Sequence, residues 1–284
     1  MIDLGSGTAV VTGGGSGIGR ALALHAGAAG MHVVVADVEE PAAAAVADEV
    51  RAGGGSAAAF ACDVSDGAAV EALAAAVFAD HGGVRLLCLN AGVFQGGLLW
   101  ERTVEDFAWT LGVNTWGPIH GIRSFVPRMI AAGEPSHVVV TASMGGLVTN
   151  PFSGPYYTSK FAAVGLTECL AHDLRATGAP VGASVLVPSL VATRIGWSDR
   201  NRPEALRSAS ALDEPPPDVA FVDAAIRTST TDAGMEPAEV AALVFAAVGR
   251  GDFFIPTKPS YDRQISERHE DMLARRLPRS PDLD

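Results

Sequence analysis

The stretch SGPYYTSK, residues 153–160, sets Tyr156, Tyr157 and Lys160 close together in the chain. An ordinary phenol, with a pKa of about 10, is protonated at neutral pH and is a poor base. A lysine ammonium about 4 Å away stabilises the phenolate by up to about 4 kcal/mol at an effective dielectric of about 20, or roughly three pKa units. That is enough to bring a tyrosine near neutrality and let it exchange a proton with a hydroxyl group. Tyr156 and Lys160 are four apart and Tyr157 and Lys160 three apart, and both separations share a helix face, so the spacing leaves both tyrosines open. A plain helix start with packed aromatics is the competing reading. Ser143, 13 residues before Tyr156, follows the apolar run VVVTA and could offer a hydroxyl at a strand end.

A second group could hold phosphate. TGGGSGIG, residues 12–19, follows a β-branched run and opens a helical stretch. Glycines let a backbone turn sharply and approach phosphate oxygens, and a helix N-terminus favours anions. Asp37 lies 18 residues beyond Gly19 at the end of the next apolar run, where a carboxylate can accept hydrogen bonds from a ribose diol. The same carboxylate repels a 2′-phosphate, and neighbouring Ser16 and Val38 supply no cation. The pattern predicts a dinucleotide, NAD rather than NADP. Capping of the following helix is the alternative role for Asp37.

The elements that must position these groups alternate. Short β-branched runs at 8–12, 32–36, 57–61, 86–89, 137–141, 181–187 and 253–255 are separated by Ala- and Leu-rich stretches at 17–29, 41–52, 67–81, 104–131, 157–176 and 237–248. This is the pattern of parallel strands joined by crossover helices, an α/β doubly wound sheet of seven strands in one domain spanning 1–284. Residues 190–235, with three successive prolines, lack strand periodicity and read as a lid over the carboxyl edge of the sheet. The charged tail, 257–284, reads as a solvated helix or a subunit contact.

Composition narrows the partners. Twenty Lys and Arg against 32 Asp and Glu give a formal charge of −12, which disfavours nucleic acid and anionic membranes. Cys62, Cys88 and Cys169 are scattered in apolar runs and read as small buried hydrophobes in a reducing compartment. Neither the cysteines nor the dispersed histidines, such as His25, His81, His120 and His172, have metal-ligand spacing, so no metal is expected. With no basic-then-apolar leader and no membrane-length apolar run, the reading is cytoplasmic.

Taken in order, Thr12-Gly13-x-x-x-Gly17-x-Gly19, Asp63-Val64, Asn90-Ala91-Gly92, Asn114, Ser143, Tyr156-x-x-x-Lys160 and Pro188 through Thr193 resemble the short-chain dehydrogenase/reductase family across nearly the whole chain. The resemblance implies a Rossmann fold and an NAD-dependent oxidoreductase acting on an alcohol or ketone. It selects Tyr156 as the proton-transfer residue, Ser143 as the group orienting the oxygen, Lys160 as the residue tuning the tyrosine and binding the nicotinamide ribose, and Asn114 as part of a proton relay. It implies cofactor contacts from Gly13, Ser16, Gly17, Ile18, Gly19, Asp37, Asp63, Val64, Asn90, Ala91, Gly92, Tyr156, Lys160, Pro188, Val191 and Thr193. Relatives usually carry glycine at the position of Ser189, which would be strained there if the backbone needs positive φ.

Around that expected site stand Phe94, Gln95, Met144, Phe152, Leu190 and Trp197, with Ser143 and Tyr156, mainly large and apolar. They point to a bulky hydrophobic, aromatic or alicyclic substrate. The ending GDFFIPTKPSYDR also resembles a branch that includes enzymes oxidising aryl carbinols. The family's habits imply a homodimer or homotetramer. Two rivals share parts of the pattern: an NADP-preferring carbonyl reductase, and a non-catalytic NAD-binding sensor or scaffold that has no need of Ser143, Tyr156 and Lys160.

Overall fold

A computed structural model describes residues 2–207, 214–258 and 261–281. Within it, strands β1 (Thr8–Thr12), β2 (His32–Asp37), β3 (Ser56–Ala61), β4 (Leu86–Leu89), β5 (Ser136–Thr141), β6 (Val181–Val187) and β7 (Phe254–Pro256) form one parallel sheet in the order β3-β2-β1-β4-β5-β6-β7. Val10 of β1 pairs with Val34 on one side and Leu87 on the other. The order reverses beside β1, and that crevice is where ligands bind in such sheets.

Both faces of the sheet are covered, which explains why its central strands read as continuous apolar runs. Helices α1 (Gly17–Ala28), α2 (Glu40–Ala52) and α8 (Pro237–Arg250) bury one face against Val11, Val33 and Val35. Helices α3 (Gly67–His81), α5 (Gly117–Ala132) and α6 (Gly154–Thr177) bury the other against Val10, Val34 and Val138. Asp66 caps α3 by accepting from the Ala68 N–H at 2.8 Å, and α6 opens with Pro155 in its first turn.

Three expectations change. The helix expected over 104–131 is two, α4 (Val104–Leu111) and α5, joined by a π-helical turn at Gly112–Trp116 that contains Asn114. The 190–235 region carries short 3-10 turns at Ile195–Asn201 and Glu204–Leu206, then helix α7 (Pro217–Asp232). The triple proline that argued against regular structure starts α7, because the first helical turn needs no N–H from proline. Residues 208–213 of that region lie outside the described residues. Cys62 and Cys88 are buried as expected, but Cys169 is exposed on α6.

Candidate active site

The glycine turn leaves β1 at Thr12 and enters α1. Gly13 sits at φ +62°, and a Cβ there would come within 2.7 Å of the Ala91 backbone. A Cβ on Gly19 would lie 2.0 Å from the Gly13 carbonyl oxygen, so the close approach of helix and turn requires glycine at both positions. Asn90 stitches the neighbouring strand end to this turn, its Nδ2 donating to the Thr12 oxygen at 3.1 Å while Thr12 Oγ1 accepts from the Asn90 N–H at 3.0 Å. Gly17 lies below the turn against Thr193. Asp37 ends β2 with one carboxylate oxygen accepting from Gly15 N–H at 2.9 Å and the other from Glu39 N–H at 3.0 Å. Asp63 accepts from the Ser65 N–H at 2.9 Å, shaping the loop that leads into α3.

Of these groups Gly13, Asp37, Asp63, Asn90 and Thr193 line a cavity of about 910 Å³. It runs from Asp37 and Asp63, past Gly13, Ser16, Ile18 and Val64, along Asn90 to Gly92, and on to Ser143, Tyr156, Lys160 and the Pro188–Thr193 segment. The turn, the N-terminus of α1 and a carboxylate at the end of β2 are a donor and acceptor set that fits a dinucleotide.

At the other end of the cavity the fold separates the two tyrosines. The Ser143 hydroxyl lies close enough to Tyr156 to act on its phenol, and the Tyr156 ring packs on Phe94, with ring centroids 5.0 Å apart. The Tyr157 ring lies over Gly145, and its phenol is influenced by Asn150 and not by Ser143. Ser143 is fixed by accepting from the Gly145 N–H at 3.0 Å. Lys160 is buried, its Nζ donating to the Thr141 carbonyl at 3.0 Å and standing 5.7 Å from the centre of the Tyr156 ring. Asn114 is held in its π turn by accepting from the Val93 N–H at 2.8 Å and donating to the Val93 carbonyl and Ser159 Oγ, each at 2.9 Å.

Burial dominates the electrostatics of this cofactor-free arrangement. It pushes the Tyr156 phenol above its ordinary value, with the Ser143 hydrogen bond pulling the other way, and pushes Tyr157 up to about 12. It pulls Lys160 from 10.5 down to about 8. The reading in which lysine alone brings the phenol down therefore omits the larger opposing effect of burial.

Lys160→Met is accordingly expected to stabilise the cofactor-free protein at pH 7. The folded pKa of the lysine lies below its unfolded one, so the unfolded chain binds more protons between about 8 and 10.5, and stability climbs with pH across that window. Below it the full penalty, about 3 kcal/mol, applies. Thermal denaturation at pH 7 and pH 10 checks this: the advantage of the variant should shrink at pH 10, and a variant less stable than the parent at pH 7 overturns it.

Five expected site residues lie outside the cavity lining: Gly17 and Gly19, which pack the turn against Thr193 and the Gly13 carbonyl, Asn114, held by Val93 and Ser159, and Gln95 and Trp197. Gln95 is buried away from the cavity, its Oε1 accepting from Arg202 at 3.0 Å, because the Arg202 guanidinium needs that acceptor. Trp197 is 39% exposed and lies outside the cavity lining, under the Arg227 guanidinium at 5.4 Å. Met144, Phe152 and Leu190 do line the cavity, as do Pro188 and Val191. Ser189 is not in the left-handed region, so its side chain is accommodated without the strain expected of a glycine position.

Sequence reasoning missed other contributors. The tail forms helix α9 (Tyr261–Leu273), and buried Tyr261 reaches the cavity and pairs with Ser189 Oγ. Arg200 and Asn201 reach the Asp37 end of the cavity, donating to Glu39 at 3.0 and 2.8 Å. Asn201, with Arg200 and Arg194, holds the Glu39 carboxyl below its usual range. The only local signal for Tyr261 was its place just past a strand on the ligand-binding edge.

Among the described residues no group of three or more His, Cys, Asp or Glu side chains is placed to hold a metal, and no helix is long and apolar enough to cross a membrane. Residues 7–204 match the family model for short chain dehydrogenase. The chain is 34% identical over 270 residues to the C alpha-dehydrogenase of Sphingobium sp. strain SYK-6, covering 95% of this chain and 86% of that protein. It is 41% identical over 194 residues to the 2,5-dichloro-2,5-cyclohexadiene-1,4-diol dehydrogenase of Sphingobium indicum, covering 68% and 76%. The crystal structure of a short chain dehydrogenase/reductase from Burkholderia phymatum in complex with NAD is similar with a TM-score of 0.95 and 42% identity, over 99% of both chains.

Proposed function

We propose, from the premise that this chain belongs to the short-chain dehydrogenase family, that it is an NAD-dependent alcohol dehydrogenase acting on a bulky, hydrophobic or aromatic secondary alcohol or its ketone. The observation that carries the reading is that Ser143, Tyr156 and buried Lys160 stand together on one cavity that continues to Asp37. NAD, when bound, accepts the hydride from the alcohol carbon.

The remaining work belongs to the chain. Ser143 holds the substrate oxygen, and Tyr156 takes its proton in oxidation and returns it in reduction. Charged Lys160 offsets part of the cost that burial places on the phenolate. Asn114, whose side chain is committed to Val93 and Ser159, keeps the π turn in place beside the lysine. Phe94, Met144, Phe152 and Leu190 exclude water from the reacting carbon.

Asp37 supports NAD over NADP by repelling a 2′-phosphate. The rival, an NADP-preferring reductase, would draw on Arg200, but that guanidinium is engaged by Glu39. A panel of bulky secondary alcohols assayed with NAD and NADP in parallel tests both parts. Reduced cofactor should form with NAD, with kcat/KM at least about tenfold above that for NADP, the size expected of one uncompensated charge contact. Equal use of NADP sinks the cofactor assignment, and turnover confined to ethanol-sized alcohols sinks the substrate class.

A further inference from the structure

The apolar cavity around Tyr156 carries a polar strip that the proton-transfer chemistry leaves unused. Tyr261, the first residue of α9, is 3% exposed yet lines the cavity, and its hydroxyl pairs with Ser189 Oγ. Ser189 is itself anchored, its N–H donating to Thr257 Oγ1 at 2.9 Å. Tyr157 and Asn150 also line the cavity. The Tyr157 ring stands edge-on to the Tyr156 ring, with centroids 6.1 Å apart, so the polar lining begins beside the reacting pair and includes the first residue of the C-terminal helix.

A phenylalanine would fill the place of Tyr261 in the core just as well, and a hydroxyl brought into an apolar wall costs free energy unless it is hydrogen-bonded. Four polar side chains therefore stand on a surface whose other components, Phe94, Phe152 and Leu190 among them, are apolar. A few fixed polar groups in an apolar pocket are what orient a ligand and discriminate between close analogues. Tyr157, held neutral by burial, keeps its proton to donate.

We propose that Tyr261, with Ser189, Tyr157 and Asn150, forms a second hydrogen-bonding subsite that recognises a hydroxyl or carbonyl oxygen on the substrate, separate from the oxygen at the reacting carbon. The substrate class narrows to alcohols or ketones bearing a second oxygen, and the C-terminal helix becomes a specificity element. The inference rests on the alcohol dehydrogenase reading for what occupies the cavity.

The test compares 1-phenylethanol with its 3- and 4-hydroxyphenyl analogues. Their affinities for the full-length protein saturated with NAD are measured by calorimetry, with formation of reduced cofactor followed in the same mixtures. At least one hydroxylated analogue should bind about tenfold or more tightly than the parent alcohol, the scale of one well-made hydrogen bond in a buried site. Tyr261→Phe should collapse that ratio to within about twofold of unity. Ser189→Ala, which leaves α9 untouched, should reduce it in the same direction and keeps the test open if Tyr261→Phe does not fold. A ratio that survives both variants, or a wild-type protein that binds all three alcohols equally, overturns the subsite. Discrimination in binding without reduced cofactor would instead overturn the dehydrogenase reading and leave the subsite standing.

Discussion

Replacing Tyr156 with phenylalanine should lower kcat for alcohol oxidation by about 10²- to 10⁴-fold, the range that a positioned acid or base supplies. NAD affinity should stay within about twofold, because the ring that packs on Phe94 is retained and only the hydroxyl is lost. Ser143 would keep its bond from the Gly145 N–H, so the local fold has no reason to shift. Tyr157→Phe is the matched control, since that ring lies over Gly145 and Ser143 acts on the Tyr156 phenol, not on that of Tyr157. Its effect on kcat should be far smaller, with any loss showing in alcohol affinity. Steady-state kinetics of both variants, with NAD titrated separately, decide the matter. Undiminished turnover in Tyr156→Phe would remove the proton-transfer role, and equal losses in both would show that the two tyrosines act as one packing unit.

The second large effect is expected far from the proton. Asp106→Ala should destabilise the protein by about 3–5 kcal/mol, the cost of stranding a buried charge after its partner is removed. Asp106 and Arg202 are both fully buried and meet at 2.8 Å. Arg202 also donates from Nε to the Leu206 carbonyl at 2.7 Å and lies over Trp109 at 5.0 Å. Asp106 further completes a capping box at the start of α4, accepting from the Thr103 N–H at 3.0 Å. Neighbouring Arg102 pairs with Asp218 of α7 at 3.1 Å, so the network joins α4, the 3-10 segment and α7. Loss of Asp106 should lower Tm by about 10 °C, given how unfolding entropy scales with chain length. It should also raise KM for the alcohol, because Leu206, Phe221 and Val222, carried on those segments, line the cavity. A Tm within about 2 °C of the parent would show that the pair contributes little net stability. Pairing Asp106→Leu with Arg202→Met should recover part of the loss, since an apolar pair leaves no charge uncompensated.

Much of the site could be read from local order. Gly13, Asp37, Asn90 to Gly92 and Ser143 all fall where the run of strands and helices places strand ends, and with Lys160 of α6 they line one cavity. Gln95 and Trp197 could not be placed this way. Gln95 is claimed by Arg202, 107 positions away, and Trp197 by Arg227 on a helix whose start was obscured by three prolines. Cys169 looked like a core residue because its neighbours are apolar, yet it is exposed on α6. Apart from its place just past a strand, the charged tail obscured the inward turn of Tyr261, since its neighbours Asp262 and Arg263 are those of a solvated helix.

Chain order alone determined the strand-and-helix alternation, the glycine turn and the presence of a serine, tyrosine and lysine at the spacing on which the proposed proton transfer rests. Those features depend on short-range causes: side-chain periodicity, glycine's access to positive φ and the hydrogen-bonding needs of helix ends. Tertiary structure decided which tyrosine meets Ser143, how far burial opposes the lysine, and that a C-terminal helix completes the cavity wall. Desolvation and long-range pairing depend on every element that packs around a group, and no window of neighbouring residues contains that information.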